Sequence, residues 1–458
     1  MLTEQHKPLW NFDLPPSYRD ARGNPNAAVP QLDWWRGFRS KQLTTLIEEA
    51  QASNFDIAAA IGRIMQADAQ AQIAGAPLLP NVGLDARATR SQVSTATGSG
   101  DVTGSVNRQR RLYNITVNAS YEIDFWGKNR AALLAAEQTA IATRYSREVV
   151  AITTLAAVAN TYFEMLSAQE RLRIARGNLS SATRILTLFR QRLEAGTANA
   201  LDVAQQEALV ATTRAAIPLL EQIARQDVAT LAVLVGKPPE YFTVRGGSMA
   251  ALAIPRVTPG LPSELLRQRP DIRLAEADLA SANASVFSAR AAFFPSIQLT
   301  GQGGFQSAAL QTLFSPQAAF YNVTAGLTQP IFDGFRLQGQ LDFQRGRQEE
   351  LLQIYRRTVV SAFADVERAL IAIQLTAERE RLLREAVAAS RRAFELSETQ
   401  LREGAVDLVT VLNAQQTFFQ NQDALAQTRL ARFQAVVSLF QALGGGWAPE
   451  PVGLRHAR

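Results

Sequence analysis

Alternation of apolar and polar residues is the clearest pattern in four short stretches of the chain. In YNITVNASYEID, which starts at Tyr113, the odd-numbered positions are apolar and the even-numbered positions are polar. This period of two predicts a β-strand with one apolar and one polar face. The same alternation predicts strands at about residues 81–91, 112–124, 296–305 and 320–331.

The apolar faces of these strands carry aliphatic side chains at alternating positions. Such a face packs on a core in a soluble sheet, but it meets lipid in a membrane barrel with a wet interior. About ten residues tilted by roughly 45° span some 23 Å, which fits the apolar band of an outer membrane. The pattern therefore favours lipid contact, with a soluble sheet packed on helices as the alternative. The predicted lipid-facing residues are Val82, Leu84, Ile115, Val117, Ile297, Leu299, Val323 and Leu327.

Longer segments have apolar positions that follow one another in steps of four and three. These steps run from Tyr145 to Leu166 and from Tyr355 to Ile373. They are typical of heptad coiled coils and predict long helices at about residues 130–194, 199–236, 336–402 and 407–443. Gly196 would end the first of these helices and Gly404 the third, because glycine adopts the left-handed conformation that terminates a helix.

The second half of the chain repeats the first half. Asp56 recurs as Asp271 and Pro80 recurs as Pro295, each about 215 residues later. RLEAGTANALDVAQQ also recurs as QLREGAVDLVTVLNAQQ. Each repeat runs helix, strand, loop, strand, long helix, turn, long helix, so both strand loops lie on one side and the helices on the other. The resulting division is an N-terminal lead (1–40), a first repeat (41–245), a linker (246–262), a second repeat (263–446) and a C-terminal tail (447–458).

Composition excludes several kinds of chemistry. The chain has 458 residues, of which 47% are hydrophobic and 19% charged, and this balance indicates a folded protein. It contains no cysteine, and its two histidines, His6 and His456, lie in the terminal tails. Cysteine chemistry is therefore excluded and a histidine-based site is not expected. No run of about 18 apolar residues predicts a membrane-spanning helix.

Charge and short motifs do not predict an enzyme or a nucleic-acid-binding protein. The formal net charge is +6, but arginine is spread among acidic residues along helical stretches, which favours a solvated surface. Acidic pairs such as Glu349 and Glu350 are typical of such a surface, and the glycine-rich GQGG and GGSMAALAIP lack the spacing of a phosphate-binding loop. We assign no catalytic, cofactor-binding or metal-binding residue, and we expect no nucleic-acid partner.

Longer motifs resemble the TolC-like outer membrane factors, in particular the NodT-type outer-membrane components of tripartite RND efflux systems. The resemblance covers residues 34–446 and is carried by LDWWRGFRSKQLTTLIEEAQASNFDI, RQRPDIRLAEADLASANA, AAFFPSIQLTG, TQPIFDGFR and VLNAQQTFF. It implies a membrane α+β fold in which a homotrimer, with four strands per chain, forms a barrel of about 12 strands in the outer membrane of a Gram-negative bacterium. A long α-helical barrel would continue this β-barrel into the periplasm.

The same resemblance implies a passive channel. It would conduct drugs or other small molecules delivered by an inner-membrane RND-type transporter and a periplasmic membrane-fusion adaptor. A soluble periplasmic helical-hairpin adaptor or scaffold is the alternative. The adaptor of the tripartite system would dock at the two helix turns, which contain Gly196, Thr197, Gly404 and Ala405.

A closed resting gate is also implied near the second turn. Its residues would be Leu408, Val409, Thr410, Leu412 and Asn413. The family has acidic residues at the positions of Thr410 and Asn413, so strong cation selectivity is not expected here. Asp202 and Arg402 are the best-placed opposite charges for a latch between the hairpins, and a pair of solvated surface charges is the alternative.

The start of the sequence departs from the lipoprotein members of this family, which carry a signal peptide followed by cysteine. MLTEQHKPLWNFDLPPSYRD has neither a charged n-region nor an apolar h-region. The proline-rich stretch from Pro8 to Pro30 looks like the extended lead of a mature member. We expect a sequence that begins just after the cysteine, with a non-lipidated form or a misassigned start as the alternatives.

Overall fold

The computed structural model describes Tyr18 and residues 32–92, 109–255, 257 and 262–447, with the side chains of residues 262–264 excepted. Several predicted segments lie outside the described residues. These are most of the N-terminal lead, the loop at 93–108 between the first two strands, residues 256 and 258–261 of the linker, and all of the tail after residue 447.

The described part of the chain contains α-helices and β-strands in the repeated order that the sequence predicts. The strands are β1 (Asn81–Gln92), β2 (Gln109–Ile123), β3 (Ser296–Ser307) and β4 (Ala319–Thr328). The helices are α1 (Lys41–Ser53), α2 (Phe55–Gly75), α3 (Lys128–Glu194), α4 (Ala200–Leu234), α5 (Pro262–Gln268), α6 (Pro270–Ala291), α7 (Arg336–Arg402) and α8 (Leu408–Ala442).

The long helices of the two halves have equal lengths. Helices α3 and α7 each contain 67 residues, and α4 and α8 each contain 35. Strand β2 begins at Gln109, before the predicted start, because its ladder with β1 continues to the pair Gln92 and Gln109. Strand β4 ends at Thr328, before the predicted end, and the nearby Pro330 has no N–H with which to continue a ladder.

The chain forms two compact units, and each unit draws on both halves of the sequence. Unit 1 comprises residues 1–62, 144–274 and 356–458, and unit 2 comprises residues 63–143 and 275–355. The predicted repeats are therefore consecutive along the chain, whereas the compact units combine one part of each repeat.

Unit 1 is organised around a cluster of aromatic rings. The ring centroid of Phe163 in α3 lies 5.0 Å from that of Phe38 and 4.9 Å from that of Phe433 in α8. Trp34 stacks on Phe440 at 5.0 Å. These rings belong to a buried cluster that also holds residues of α1 and α4. Burial of aromatic surface is the main favourable contribution to packing here, and it joins both halves of the sequence.

One stretch of α3 is long and apolar enough to span a membrane by length and composition, although the sequence pattern predicts no such helix. Among the described residues its mean hydropathy is 1.5, but 61% of it is buried inside the protein. Leu155, Phe163 and Leu166 of α3 belong to the aromatic cluster of unit 1. The high hydropathy therefore reflects a helix buried in a protein core, because such a helix can be as long and as apolar as one that spans a membrane.

The ends of α4 and α8 in unit 1 are built in the same way. Gly236 and Gly444 follow these helices with φ of 72° and 75°. A Cβ added at Gly236 would lie 2.4 Å from the carbonyl oxygen of Ser53, and one added at Gly444 would lie 2.5 Å from that of Gln268. Only glycine fits both the left-handed conformation and the close approach of another backbone.

Side chains fix each of these helix ends from the neighbouring segment. The Asn54 amide donates to the carbonyl of Leu234 at 2.8 Å. At the equivalent place in the second half, the Arg269 guanidinium donates to the carbonyl of Ala442 at 3.1 Å. Arg269 of the RPDI motif thus donates to a carbonyl at the end of α8 that has no partner within the helix.

Unit 2 contains one antiparallel sheet in the order β1-β2-β3-β4. Within the described chain, β1 pairs only with β2 and β4 pairs only with β3. The indole of Trp126, just after β2, stacks on Phe294 at 4.7 Å and donates to the carbonyl of Pro295 at 2.8 Å. The two hairpins are thereby joined at the end of the sheet where α6 leads into β3 and β2 leads into α3.

Candidate functional site: strand faces and hairpin turns

The register of the sheet places the predicted lipid-facing positions of all four strands on one face. Leu84 pairs with Val117, Val117 pairs with Gly303, and Gly301 pairs with Val323. Paired residues in an antiparallel ladder point to the same side of the sheet. The predicted lipid-facing residues therefore share one face, and each is at least partly exposed: Val82, Leu84, Ile115, Val117, Ile297, Leu299, Val323 and Leu327.

The opposite face of the sheet is polar. Asn118 pairs there with Gln302, and Thr300 pairs with Thr324. This face is crowded between β2 and β3, because Thr116 is buried and a Cβ added at Gly304 would lie 2.0 Å from the carbonyl oxygen of Ile115. Crowding of this kind is expected on the concave side of a bent sheet. The register therefore separates an apolar face from a polar one, and the crowding on the polar face is confined to the neighbourhood of Thr116 and Gly304.

Both long helical hairpins of unit 1 turn at the predicted glycines. Gly196 and Gly404 have φ of 71° and 77°. Each donates its N–H to the carbonyl three residues earlier, and the next residue, Thr197 or Ala405, donates to the carbonyl five residues earlier at 2.8 Å. This pair of bonds is the Schellman motif, in which a left-handed residue ends the helix. Apart from the two chain neighbours, no heavy atom of a described residue lies within 4 Å of a Cβ added at either glycine.

The helix after each turn begins with a side-chain cap. Asn199 and Asp202 form a capping box, in which Asn199 Oδ1 accepts from the Asp202 N–H at 2.9 Å and Asp202 Oδ2 accepts from the Asn199 N–H at 3.4 Å. In the second hairpin, Asp407 caps α8 by accepting from both the N–H and the hydroxyl of Thr410, at 2.9 and 2.6 Å. Asp202 and Thr410 therefore stabilise the starts of equivalent helices.

Asp202 and Arg402 do not pair with each other within the described residues of one chain, and the predicted latch between the hairpins stays a prediction. Asp202 is used in the capping box, and the Arg402 guanidinium binds Glu398 Oε1 at 2.7 Å, one turn earlier in α7. Both contacts are local to one helix, and local partners need less ordering of the chain than distant ones.

Other residues connect the two hairpins near their turns. Glu398 also lies 3.2 Å from the Arg184 guanidinium of α3, so one carboxylate of α7 holds two arginines. Arg192 of α3 donates to the carbonyls of Leu401 and Arg402 at 3.1 and 3.3 Å. Sequence reasoning missed these ties, although the spacing of Glu398 and Arg402 was a visible signal for a helical ion pair.

The predicted gate residues divide between a packed interior and an exposed surface. Leu408 is buried in a cluster with Phe189, Val203 and Val411, and Leu412 packs partly against that cluster. Leu408 therefore stabilises the hairpin pair. The exposed members of the predicted gate are Val409, Thr410 and Asn413.

A buried ionic cluster joins α3, α7 and α8 further along unit 1. Glu380 is 2% exposed and binds Arg432 at 2.7 Å and Arg429 at 3.3 Å. Arg429 also binds Glu170 of α3 at 2.9 Å. Burial alone would raise the pKa of Glu380, but the hydrogen bond from Arg432 and the surrounding arginine charges hold this pKa below its usual value.

Comparison with known families decides the identity of this architecture. The family model described as outer membrane efflux protein matches residues 46–237 and 261–445, which are the two halves of the repeat. The chain belongs to the outer membrane efflux protein family. Members of this family are transport channels in the outer membrane of Gram-negative bacteria, which confirms the predicted location.

Named relatives and solved structures agree with this assignment. The chain is 42% identical over 422 residues to the pyoverdine export outer membrane protein OpmQ of Pseudomonas aeruginosa, covering 92% of this chain and 89% of OpmQ. It is 30% identical over 417 residues to the cation efflux system protein CusC of Escherichia coli, covering 90% and 88%. The outer-membrane channel OprN superposes with a TM-score of 0.87 at 27% identity, covering 96% of this chain and 99% of OprN. The predicted fold class, with four antiparallel strands and long helices in each chain, is thereby confirmed.

Proposed function

We propose that this outer membrane efflux protein is the passive exit duct of a tripartite pump. The observation that carries the proposal is the strand register, which gives one chain an exposed apolar face for lipid and a polar face for a water-filled passage. Small molecules would enter from a periplasmic membrane-fusion adaptor and an inner-membrane RND-type transporter. We propose no catalytic role, since energy for transport would come from the transporter.

Three copies of the chain would complete the duct. A single four-stranded sheet has an unpaired edge on β1 and another on β4 within the described chain. In lipid each unpaired backbone group costs several kcal/mol, so both edges need partners. Pairing of β1 of one copy with β4 of the next would give a closed barrel of about twelve strands in a trimer.

The hairpin turns are the proposed docking site for the adaptor. The turns at Gly196–Thr197 and Gly404–Ala405 are followed by exposed apolar residues at equivalent positions in the new helices. Leu201 is 63% exposed and Val409 is 48% exposed. Exposed aliphatic side chains beside a structured turn suit docking of another helical protein.

The gate is proposed to be formed by the exposed residues Val409, Thr410 and Asn413 of α8, one set from each copy. None of the three is charged, so closure would rest on packing and on the ties that hold the hairpins together. Those ties are Glu398 with Arg184 and Arg402, together with Arg192 on the neighbouring carbonyls. Opening would then require these contacts to break or rearrange.

Single-channel recording in a planar lipid bilayer tests the proposal directly. Detergent-extracted protein should sediment as a trimer and conduct ions after reconstitution. A chain that purifies without detergent as a monomer and gives no conductance would instead be a soluble periplasmic helical-hairpin protein. Expression in a strain that lacks its own efflux duct should restore drug resistance only when the matching adaptor and transporter are present.

A further inference from the structure

Two arginines face each other on the apolar face of the β1–β2 hairpin. The register pairs Arg90 with Arg111, in phase with the pair Ala88 and Tyr113. Arg90 and Arg111 therefore point to the face that carries Val117 rather than to the polar face. Both side chains are exposed.

The order of side chains along this face follows the profile of a membrane boundary. Going from the middle of β2 toward its loop end, Val117 and Ile115 are followed by Tyr113, then Arg111, then Gln109. Aliphatic residues, an aromatic residue and then cations are the sequence found where an apolar band gives way to lipid headgroups. This order would place Arg111 at the level where headgroups begin.

The two positive charges have no carboxylate between them in the described part of the chain. Directly opposed like charges destabilise a strand pair, with side chains about 5 Å apart at their Cβ atoms. Arg90 donates to Gln109 Oε1 at 2.7 Å, but this partner is neutral. The nearby Asp85 belongs to the polar face and lies 3.7 Å from Arg87. An anion from outside the described chain would remove this repulsion.

We propose that Arg90 and Arg111 bind the phosphate of an anionic lipid headgroup in the leaflet next to the β1–β2 loop. The inference rests on the proposed placement of the sheet in the outer membrane. Two adjacent guanidinium groups offer planar, bidentate donors that match phosphate geometry. Charge complementarity identifies the occupant, because the apolar face below the pair meets acyl chains. The matching lipid is the phosphorylated glycolipid of the outer leaflet.

Binding of lipid A to the purified detergent-solubilised trimer tests the site. Native mass spectrometry should detect lipid A on the parent protein. Arg90→Gln with Arg111→Gln should weaken this binding at least about tenfold, because two charge-assisted contacts are lost. Arg90→Lys with Arg111→Lys should give binding between that of the parent and that of the double glutamine variant, since the charge remains but the bidentate geometry is lost. The matched control is Arg87→Gln with Arg110→Gln, which removes the same charge from the polar face of the same strands and should leave binding within about twofold.

Two further arms identify the ligand. Lipid A that lacks its phosphate groups should bind the parent no better than it binds the Arg90→Gln, Arg111→Gln variant, and inorganic phosphate should not compete with lipid A. Equal loss in both double glutamine variants, or equal binding of the dephosphorylated lipid, would overturn the proposal. The trimer and its conductance are measured on the same samples. If the parent protein forms no trimer or does not conduct, the proposed duct is contradicted. If it forms a conducting trimer but does not bind lipid A, only the proposed lipid site is contradicted.

Discussion

The guanidinium of Arg184 in α3 lies 3.2 Å from the carboxylate of Glu398 in α7. Glu398 simultaneously binds Arg402, so a single acidic side chain joins the first hairpin to the last turn of α7. The carboxylate is 13% exposed, while both arginines remain well exposed. A partly shielded charge with two partners is a better candidate for holding the hairpins together than either exposed arginine with a single partner.

Glu398→Gln is therefore expected to loosen the gate. The substitution removes both ion pairs, each worth about 0–1 kcal/mol in one chain, and three copies multiply the effect. Resting conductance in planar bilayers should rise, and cells should become sensitive to large antibiotics. Glu395→Gln is the control, because the ion pair that the structure describes for Glu395 is a local one with Arg391 in the same helix. Conductance equal to the parent in both variants would mean that packing alone closes the gate.

Asp202→Ala separates the capping role of this residue from a latch. It should cost at most about 1 kcal/mol, because the bond from the Asn199 N–H to the Asp202 carboxylate is lost while Asn199 still caps α4. Thermal unfolding of the trimer measures this cost. The resting conductance of this variant should equal that of the parent. If its conductance instead rises as much as that of Glu398→Gln, Asp202 would pair with Arg402 of another copy, as the latch prediction requires.

Arginine substitutions on the two faces of β2 and β4 test the lipid assignment. Val117→Arg and Val323→Arg place a charge on the exposed apolar face, at an expected cost of roughly 2–4 kcal/mol near the bilayer midplane. Asn118→Arg and Thr324→Arg place it on the polar face and should be tolerated. The yield of membrane-extracted trimer is the readout. The same yield for all four variants would contradict the orientation of the sheet.

Alanine substitutions at two kinds of glycine should differ strongly. Gly196→Ala meets no neighbouring atom, so the expected cost is about 1–2 kcal/mol for a left-handed alanine. Gly236→Ala has the same φ but would bring its Cβ to 2.4 Å from the Ser53 carbonyl oxygen. It should lower the thermal stability of the trimer by clearly more than Gly196→Ala does. Similar thermal unfolding midpoints for the two variants would mean that the backbone at Ser53 moves aside at little cost.

The stability of unit 1 should depend on the protonation of Asp227. Burial, together with the charge of Glu164, raises the pKa of this carboxyl to about 6 from its usual 3.8. The folded state therefore binds the proton more tightly, and this stability is present below about pH 4 and is lost as pH rises through about 6. Asp227→Asn should match the parent at pH 4 and exceed it by about 1–3 kcal/mol at pH 8. Thermal unfolding of the parent and the variant at pH 4 and pH 8 measures this difference in stability. If the variant is more stable by the same amount at both pH values, titration of Asp227 is not the cause.

Sequence patterns predict the elements of this fold better than the contacts between them. The period of two located all four strands, and helix α7 occupies the predicted residues 336–402. Heptad spacing does not define how one hairpin is rotated against another, so it could not distinguish the buried Leu408 from the exposed Val409 as gate residues. The capping box could be predicted from the sequence, since asparagine followed three residues later by an acidic residue is a helix start signal. Applied to Asn199 and Asp202, that signal predicts the capping role that Asp202 has in the structure.

The unpaired edges of β1 and β4 have a genetic consequence. Every chain in a closed ring must supply one edge to each neighbour, so a chain with a damaged edge strand spoils the ring it joins. If equal amounts of damaged and intact chains assembled at random in threes, only about one ring in eight would contain intact chains alone. A mutant allele that breaks β1 or β4 but leaves the rest of the chain able to assemble should therefore act dominantly over the normal allele.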